Sequence, residues 1–388
     1  MKDDARRQFL YTAAGAALGT GGVLRFPSLC QSYGGAFVAA YAVVLALVAL
    51  PLLWAELAAG RRRADAFPLA ALCPLGGAAG GLAAVNSAAM CACYIAITSL
   101  FAVRACTFYA YAGYGCPADI AGAPPVIAVL VAIALAFFLT RSVRTRSAAA
   151  RIAVLLQGGL TAVLAVRGLA EGGVARFAAV FAFEPWALAS PGLWLSALGQ
   201  ALLSLSLAAG VMPSLAPSMP RRLSSVRAAA AIVGANFAGG LLAAAALLPL
   251  AGGFQGDGGA FENAFVLCPA AIAAAFCDVR VRGLFGSLYY ASLTLTSFVS
   301  ALSLARPAFV WACRAPLSRR SAAFMLSALL CALGMPFAMG ASFDAADGLC
   351  CNVVAPVCAA LEVACFLYYA LTAAKRGGKI DLWKILNT

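Results

Sequence analysis

Histidine is missing altogether from this chain, and acids are few, 14 against 27 basic residues. Without histidine, the side chain that titrates near neutral pH and the commonest zinc ligand are both gone. None of the fourteen cysteines forms a pair with zinc-type spacing, so no zinc site is expected. No nucleophile–base pair stands out, which disfavours an integral-membrane enzyme. Charged residues make up only 11% of the chain, hydrophobic ones 64%, and mean hydropathy is +0.94. Those values exclude an ordinary soluble domain, and no polar stretch is long enough to form a separate one.

What is present is a series of apolar runs. A helix needs roughly 20 apolar residues to cross a bilayer. Ten runs qualify as candidate spans: about 9–31, 36–60, 82–108, 124–140, 149–168, 191–219, 227–251, 284–312, 321–340 and 349–373. The whole chain, 1–388, then reads as one polytopic domain in the lipid bilayer. The first run carries an internal arginine and no convincing cleavage site, so a cleavable leader is not expected. The segment 252–282 reads as a re-entrant or capping helix.

The net charge of +13 would suit nucleic acid, but its placement argues otherwise. Basic residues cluster at every second connection: Arg6 and Arg7, Arg61 to Arg63, Arg141 to Arg151, Arg221 to Arg227, Arg314 to Arg320, and the Lys375–Lys384 tail. The intervening connections hold most of the acids, among them Asp119, Glu184, Asp257 and Asp344. This is the positive-inside pattern, with both termini cytoplasmic and an even number of spans. The basic excess is therefore topology and implies no nucleic-acid partner.

Two spans contain helix breakers. In the first, Gly15, Gly19, Gly21 and Gly22 precede Arg25 and Pro27. Glycine costs a helix about 1 kcal/mol relative to alanine, and proline removes a backbone donor. These glycines suit a helix-packing face equally well; the intramembrane arginine tips the reading toward function. The sixth span runs through Ser204, Ser206 and Gly210 to Pro213, Pro217 and Pro220. If ten spans divide as five plus five, about 9–168 and 191–373, each broken span opens its half, and the second half is inverted. Broken helices at matching positions of inverted halves point to a midplane substrate site. Other intramembrane polar residues keep two readings. Glu56 could snorkel to water or anchor a buried network. Tyr94 could pack or bind. The hydroxyls of 292–300 can satisfy their own helix. Most cysteines read as small hydrophobes, with Cys106–Cys116 and Cys268–Cys277 as conceivable pairs.

Leu24-Arg25-Phe26-Pro27, Gly34-Gly35-Ala36-Phe37, Tyr41, Pro51 and Glu56 to Gly60 resemble the first two helices of the neurotransmitter:sodium symporters. Trp194 to Gly210 resembles that family's sixth helix, Asn236 its seventh-helix asparagine, Leu295-Thr296-Ser297 its eighth-helix sodium motif, and Asp347 its tenth-helix aspartate. The resemblance runs from about residue 6 to 376. It implies an all-α, LeuT-like fold of ten spans, with spans 1 and 6 unwound mid-membrane.

The resemblance also implies roles. Backbone NH groups of Thr20, Gly21 and Gly22 and the Tyr94 hydroxyl would hold a substrate carboxylate. Carbonyls near Ala17 and of Ser204, with the Ser206 region, would receive its ammonium. Thr20, Leu203, Ala209, Phe298 and Ala301 would hem its side chain. Leu203 and Ala209 make that pocket roomy and apolar, favouring a large hydrophobic or aromatic amino acid. One sodium would sit on carbonyls of Gly15, Leu18 and Leu293 and hydroxyls of Thr296 and Ser297. Arg25 and Asp347 would pair as an outer gate. No organic cofactor is implied.

Three departures from the family pattern stand out. A family asparagine that binds a second sodium is Gly22 here, leaving Ala17, Ser204 and Asn236 as a weakened set. The acid or chloride-site serine one turn beyond Asn236 is Gly240. The eighth-helix acid of the cytoplasmic gate is Trp311. The first two predict one sodium per cycle. The expected function is sodium-coupled import of an amino acid by alternating access. The alternatives are a non-transporting sensor and a proton-driven or uncoupled permease on the same fold.

Overall fold

The computed structural model describes residues 2–17, 19, 21–62, 66–69, 74, 76–111, 123–250 and 260–375. Among these the backbone is helical with no β-strand. Hydropathy explains this directly. A polar backbone in hydrocarbon must satisfy its own hydrogen bonds, and a helix does so within one segment. Seven helical stretches are long and apolar enough to cross a membrane, and the chain is a multi-pass membrane protein.

Helix α1 (Lys2–Ala17) carries Gly15 near its end. Helical backbone resumes as one π-type turn, Gly21–Arg25, and continues into α2 (Phe26–Val44) and α3 (Leu50–Arg62). The run 21–62, where the sequence suggests two spans, is interrupted by non-helical geometry at Gly34. Gly34 marks the joint, with φ +60° and ψ −149° inside α2, a conformation glycine adopts without steric cost. Then follow α4 (Gly76–Tyr111), α5 (Ala123–Leu139), α6 (Val143–Arg167) and the short α7 (Val174–Val180), an element not anticipated from sequence.

The second half holds α8 (Pro191–Ser204), α9 (Val211–Leu215), α10 (Ser225–Leu247), α11 (Ala260–Ala275), α12 (Val279–Ala312), α13 (Arg319–Ala338), α14 (Phe343–Leu349) and α15 (Ala355–Lys375). Between α8 and α9 the chain leaves helical geometry. Ser206 and Ala208 have φ of +52° and +53°, and Gly210 has +73°. Positive φ at two non-glycine residues is strained and persists only where the surroundings hold it.

The most extensive helix contact joins α4 and α12; α1 packs on α6, α2 on α8, and α3 on α9 and α10. Close approach is bought by small residues. A Cβ on Gly60 would meet the Pro213 carbonyl of α9 at 2.5 Å, and one on Gly15 would meet Ala150 of α6 at 2.9 Å. The expected capping segment is α11, which packs on α2, α12 and α14. Cys268, Cys277 and Cys106 are all free; Cys116 lies outside the described residues.

Candidate substrate and ion site

The two interruptions lie side by side. Ser206 Oγ, from the α8–α9 break, donates to the Ala16 carbonyl at the end of α1, 3.4 Å away. Gln200 in α8 donates through Nε2 to the Gly21 carbonyl at 3.1 Å. Carbonyls at the first break are thus satisfied by side chains of α8 and of the α8–α9 break, as buried irregular backbone in a membrane requires.

Several polar atoms converge on the glycines between α1 and α2. A Cβ on Gly19 would lie 2.5 Å from Ser300 Oγ and 3.8 Å from the Tyr94 hydroxyl. One on Gly21 would lie 3.6 Å from the same hydroxyl and 3.3 Å from Leu203 Cδ2. One on Gly22 would find only Asn236 Oδ1, at 3.9 Å. Tyr94, Leu203, Asn236 and Ser300 therefore border one small region beside the break. Ser300 Oγ and Asn236 Oδ1 are buried there without a hydrogen-bond partner among the described residues. A buried polar atom left unpaired costs stability unless a ligand or water completes it.

Not every expected atom is free. The Gly22 amide, read as a carboxylate donor, donates to the Gly19 carbonyl at 3.0 Å. Ala17, Ser204 and Ala209 are buried at the two breaks. Ser204 Oγ lies 3.2 Å from the Tyr41 hydroxyl, and Asn236 Nδ2 donates to Tyr41 at 2.7 Å and to Ser204 at 3.0 Å. Ala301 is buried and its carbonyl accepts from Cys91 Sγ at 3.2 Å. Phe298 sets its ring edge-on to Phe138 of α5, 5.4 Å between centroids. Leu18 and Thr20 lie outside the described residues.

The described residues read as sodium ligands lie on α1 and α12. Gly15 faces Val299 of α12, 3.4 Å from where its Cβ would be, and Leu293 is fully buried. Thr296 Oγ1 donates to the Ser292 carbonyl at 2.8 Å. Ser297 Oγ lies 2.8 Å from Thr98 Oγ1 and 3.2 Å from the Thr294 carbonyl. A hydroxyl that donates keeps its lone pairs, so both oxygens remain capable of accepting a hard cation.

Above the break, Arg25 is 1% exposed. Its Nε meets Asp347 Oδ2 at 2.9 Å, its Nη1 donates to Gln200 Oε1 and its Nη2 to Asn352 Oδ1, both at 3.0 Å. Three elements are fastened by one guanidinium. Sequence reasoning had the ion pair; it missed Asn352 and Ser300. The signal for Ser300 was Gly19, the residue that lets a hydroxyl come so near the backbone.

Comparison with known proteins follows this geometry. Residues 2–114 match the family model described as the sodium:neurotransmitter symporter family. A stretch of 62 residues, 16% of this chain, is 44% identical to the human inactive sodium-dependent neutral amino acid transporter B(0)AT3. It is 45% identical to the rat sodium-dependent neutral amino acid transporter B(0)AT1, and 47% to the mouse sodium- and chloride-dependent transporter XTRP3B. The matched stretch spans only 10% of each of these relatives. Among solved structures, that of MhsT in complex with L-phenylalanine superposes with a TM-score of 0.80 at 22% identity, covering 98% of this chain and 94% of that one.

Proposed function

We propose that this chain, a sodium:neurotransmitter symporter family member by the sequence of residues 2–114 and by its MhsT-like fold, is a sodium-coupled importer of an amino acid. The observation that carries the reading is the meeting of two helix breaks around Gly19, Gly21 and Gly22 under a buried Arg25. Orphaned Ser300 Oγ and Asn236 Oδ1 and the Tyr94 hydroxyl are suited to a small zwitterion. Backbone NH groups at a broken helix favour its carboxylate. The apolar, roomy side formed by Leu203, Ala209 and Ala301 favours a large hydrophobic or aromatic side chain. The L-phenylalanine in the similarly folded MhsT supports that choice.

Ten spans are our reading of the topology. The helical run 21–62 has 42 residues; at about 1.5 Å each it would reach about 63 Å, twice the ~30 Å hydrocarbon core, so it doubles back at Gly34. Adding α1 before it, the 17-residue α5, and the broken α8–α9 to the longer spans completes two inverted sets of five, about 9–168 and 191–373. Both termini are then cytoplasmic in a bacterial-type inner membrane. Sodium is held by Gly15, Leu18, Leu293, Thr296 and Ser297, one ion per cycle, and Arg25 with Asp347 closes the outer path.

The test is uptake of a labelled amino-acid panel into proteoliposomes with and without an inward sodium gradient. Accumulation of a large apolar amino acid only with sodium is the expected result. Uptake indifferent to sodium, or binding without uptake, would overturn the symport reading.

A further inference from the structure

We propose that the cytoplasmic side of the substrate site is closed by a ring contact, Phe67 on Trp311, seated in a notch that Gly210 leaves at the start of α9. The gating role rests on the transport reading of the two breaks; the ring contact itself does not.

Charge gives the direction of the path. The chain reaches α8 after Glu184, and α9 leads to Arg221 and Arg222. By the positive-inside pattern it passes from the outer face to the cytoplasm through the break. Gly210, the left-handed residue just before α9, is therefore on the cytoplasmic side of the break. Helix α12 runs the same way, toward Arg314, and Trp311 lies about three turns, or about 16 Å, beyond Ser300. Phe67 comes from the connection between α3, which ends in Arg61 and Arg62, and α4.

Three elements meet at Phe67, which is 4% exposed. Its ring stands edge-on to that of Trp311, 5.5 Å between centroids. A Cβ on Gly210 would lie 2.6 Å from Phe67 Cε1 and 2.9 Å from the Ala66 carbonyl. One on Gly80 of α4 would lie 3.3 Å from Phe67 Cβ. Gly210 is held to glycine twice over. Its φ of +73° disfavours any side chain, and the Phe67 ring fills the space that side chain would take. Helix α9 itself packs on α3 and α12. Phe67 thus bridges α4, the start of α9 and the end of α12, and release of substrate to the cytoplasm requires it to leave the notch.

Two properties suit this contact to a moving part. Parting two rings strands no ion, whereas parting Arg25 from Asp347 does. Trp311 Nε1 is also buried with no hydrogen-bond partner among the described residues. A buried donor left unpaired costs stability, and water entering from the cytoplasm would satisfy it. The closed arrangement carries a cost that opening relieves, so the gate is poised and not locked.

The experiment uses the full chain in nanodiscs, with hydrogen exchange and acrylamide quenching of Trp311. The Trp311 signal is the difference between each protein and the same protein carrying Trp311→Phe. Phe67→Ala should raise exchange of 205–216 and quenching of Trp311 several-fold, with no rise in exchange of 343–354 at the outer gate. Trp311→Ala should match it in exchange, and F67A/W311A should add little to either, the sign of one shared contact. W311F keeps a ring and removes only the N–H, so its 205–216 exchange should equal or fall below that of wild type. Unchanged exchange of 205–216 in F67A would overturn the gate. An equal rise in 205–216 and 343–354 would make Phe67 an ordinary core residue and overturn it too. Raised exchange in W311F would overturn the role of the unpaired N–H. If F67A does not accumulate, Phe67→Leu and W311A decide the same point. Neither readout needs transport, so a failed uptake assay leaves the ring contact standing, and failure here leaves symport untouched.

Discussion

The ring of Phe26 lies 3.0 Å from the point where a Cβ on Gly240 would stand. Gly240 is the position where related sequences are expected to carry an acid or a serine, and here α10 has no room for either. Phe26 is itself fixed by edge contacts to Phe37 and Tyr41, both at 5.4 Å. The loss of the polar side chain and the seating of Phe26 are one packing decision.

Gly240→Ser should therefore destabilise without restoring anything. Forcing atoms into a packed core costs about 1–3 kcal/mol. A thermal-shift measurement should show a lower midpoint, and uptake should not gain chloride dependence. A stable, chloride-dependent G240S would mean that Phe26 swings aside and that the position is free to bind an anion.

Gly22 presents the opposite case. The nearest atom to its missing Cβ is Asn236 Oδ1 at 3.9 Å, ordinary contact distance. Gly22→Asn should fold and place a second amide oxygen beside Asn236 Oδ1, which has no partner of its own. The Hill coefficient for sodium in substrate binding should move from about one toward two, its limit being the number of sites. An unchanged coefficient in a folded G22N would show that Gly22 is not what limits the ion count.

Gly19 and Ser300 form a pair that can be tested in both directions. A methyl at residue 19 would collide with Ser300 Oγ. Overpacking of this kind costs about 1–3 kcal/mol, or about tenfold per 1.4 kcal/mol in affinity. Gly19→Ala should weaken substrate binding by roughly that factor, and Ser300→Gly in the same chain should recover much of it. Non-additivity is the sign of direct contact; simple addition of the two losses would place Ser300 outside the site.

How much of this was legible in the sequence depends on distance along the chain. The first break is written locally, in four closely spaced glycines and a proline. So is the break after Ser204, though its geometry, with Ser206 and Ala208 at positive φ, is not. The Ala208 amide is met by Glu56, 152 residues away, a contact no local propensity encodes. Asn352 on Arg25 is separated by 327 residues and looks like any polar residue in a span. Ser300 sits in a run of hydroxyls most of which, like Thr294, Thr296 and Ser303, bond their own helix. Only its lack of a partner separates it from them, and that is a property of packing.

Arg25 holds three elements through charge-assisted hydrogen bonds, and removing it strands Asp347, whose Oδ1 is already buried without a partner. Breaking a buried ion pair from one side costs about 3–5 kcal/mol. Arg25→Ala should lower stability on that scale, and Asp347→Asn added to it should restore part, measured by denaturation in nanodiscs. Arg25→Lys keeps the charge but not the fork that reaches Asp347, Gln200 and Asn352 together, so it should retain stability better than uptake. Equal stability of R25A and R25A/D347N would show that Asp347 is solvated when unpaired.

Thr296 and Ser297 are the two hydroxyls of the sodium site we propose. Both hydroxyls already donate within the protein, Thr296 to the Ser292 carbonyl at 2.8 Å, so their value to a cation lies in the lone pairs that remain. Thr296→Val keeps the shape of the side chain and removes only that oxygen. If sodium binds there, T296V should lose sodium-stimulated substrate binding while keeping its stability to within about 1 kcal/mol, the net worth of one hydrogen bond. Ser297→Ala should add to the loss, because its oxygen would complete the same coordination sphere. Thr98, which shares a hydrogen bond with Ser297 at 2.8 Å, is the control. Thr98→Val should change stability and leave sodium dependence in place. Sodium-stimulated binding that survives in T296V/S297A would remove both hydroxyls from the ion site and leave them as helix hydroxyls satisfying their own backbone.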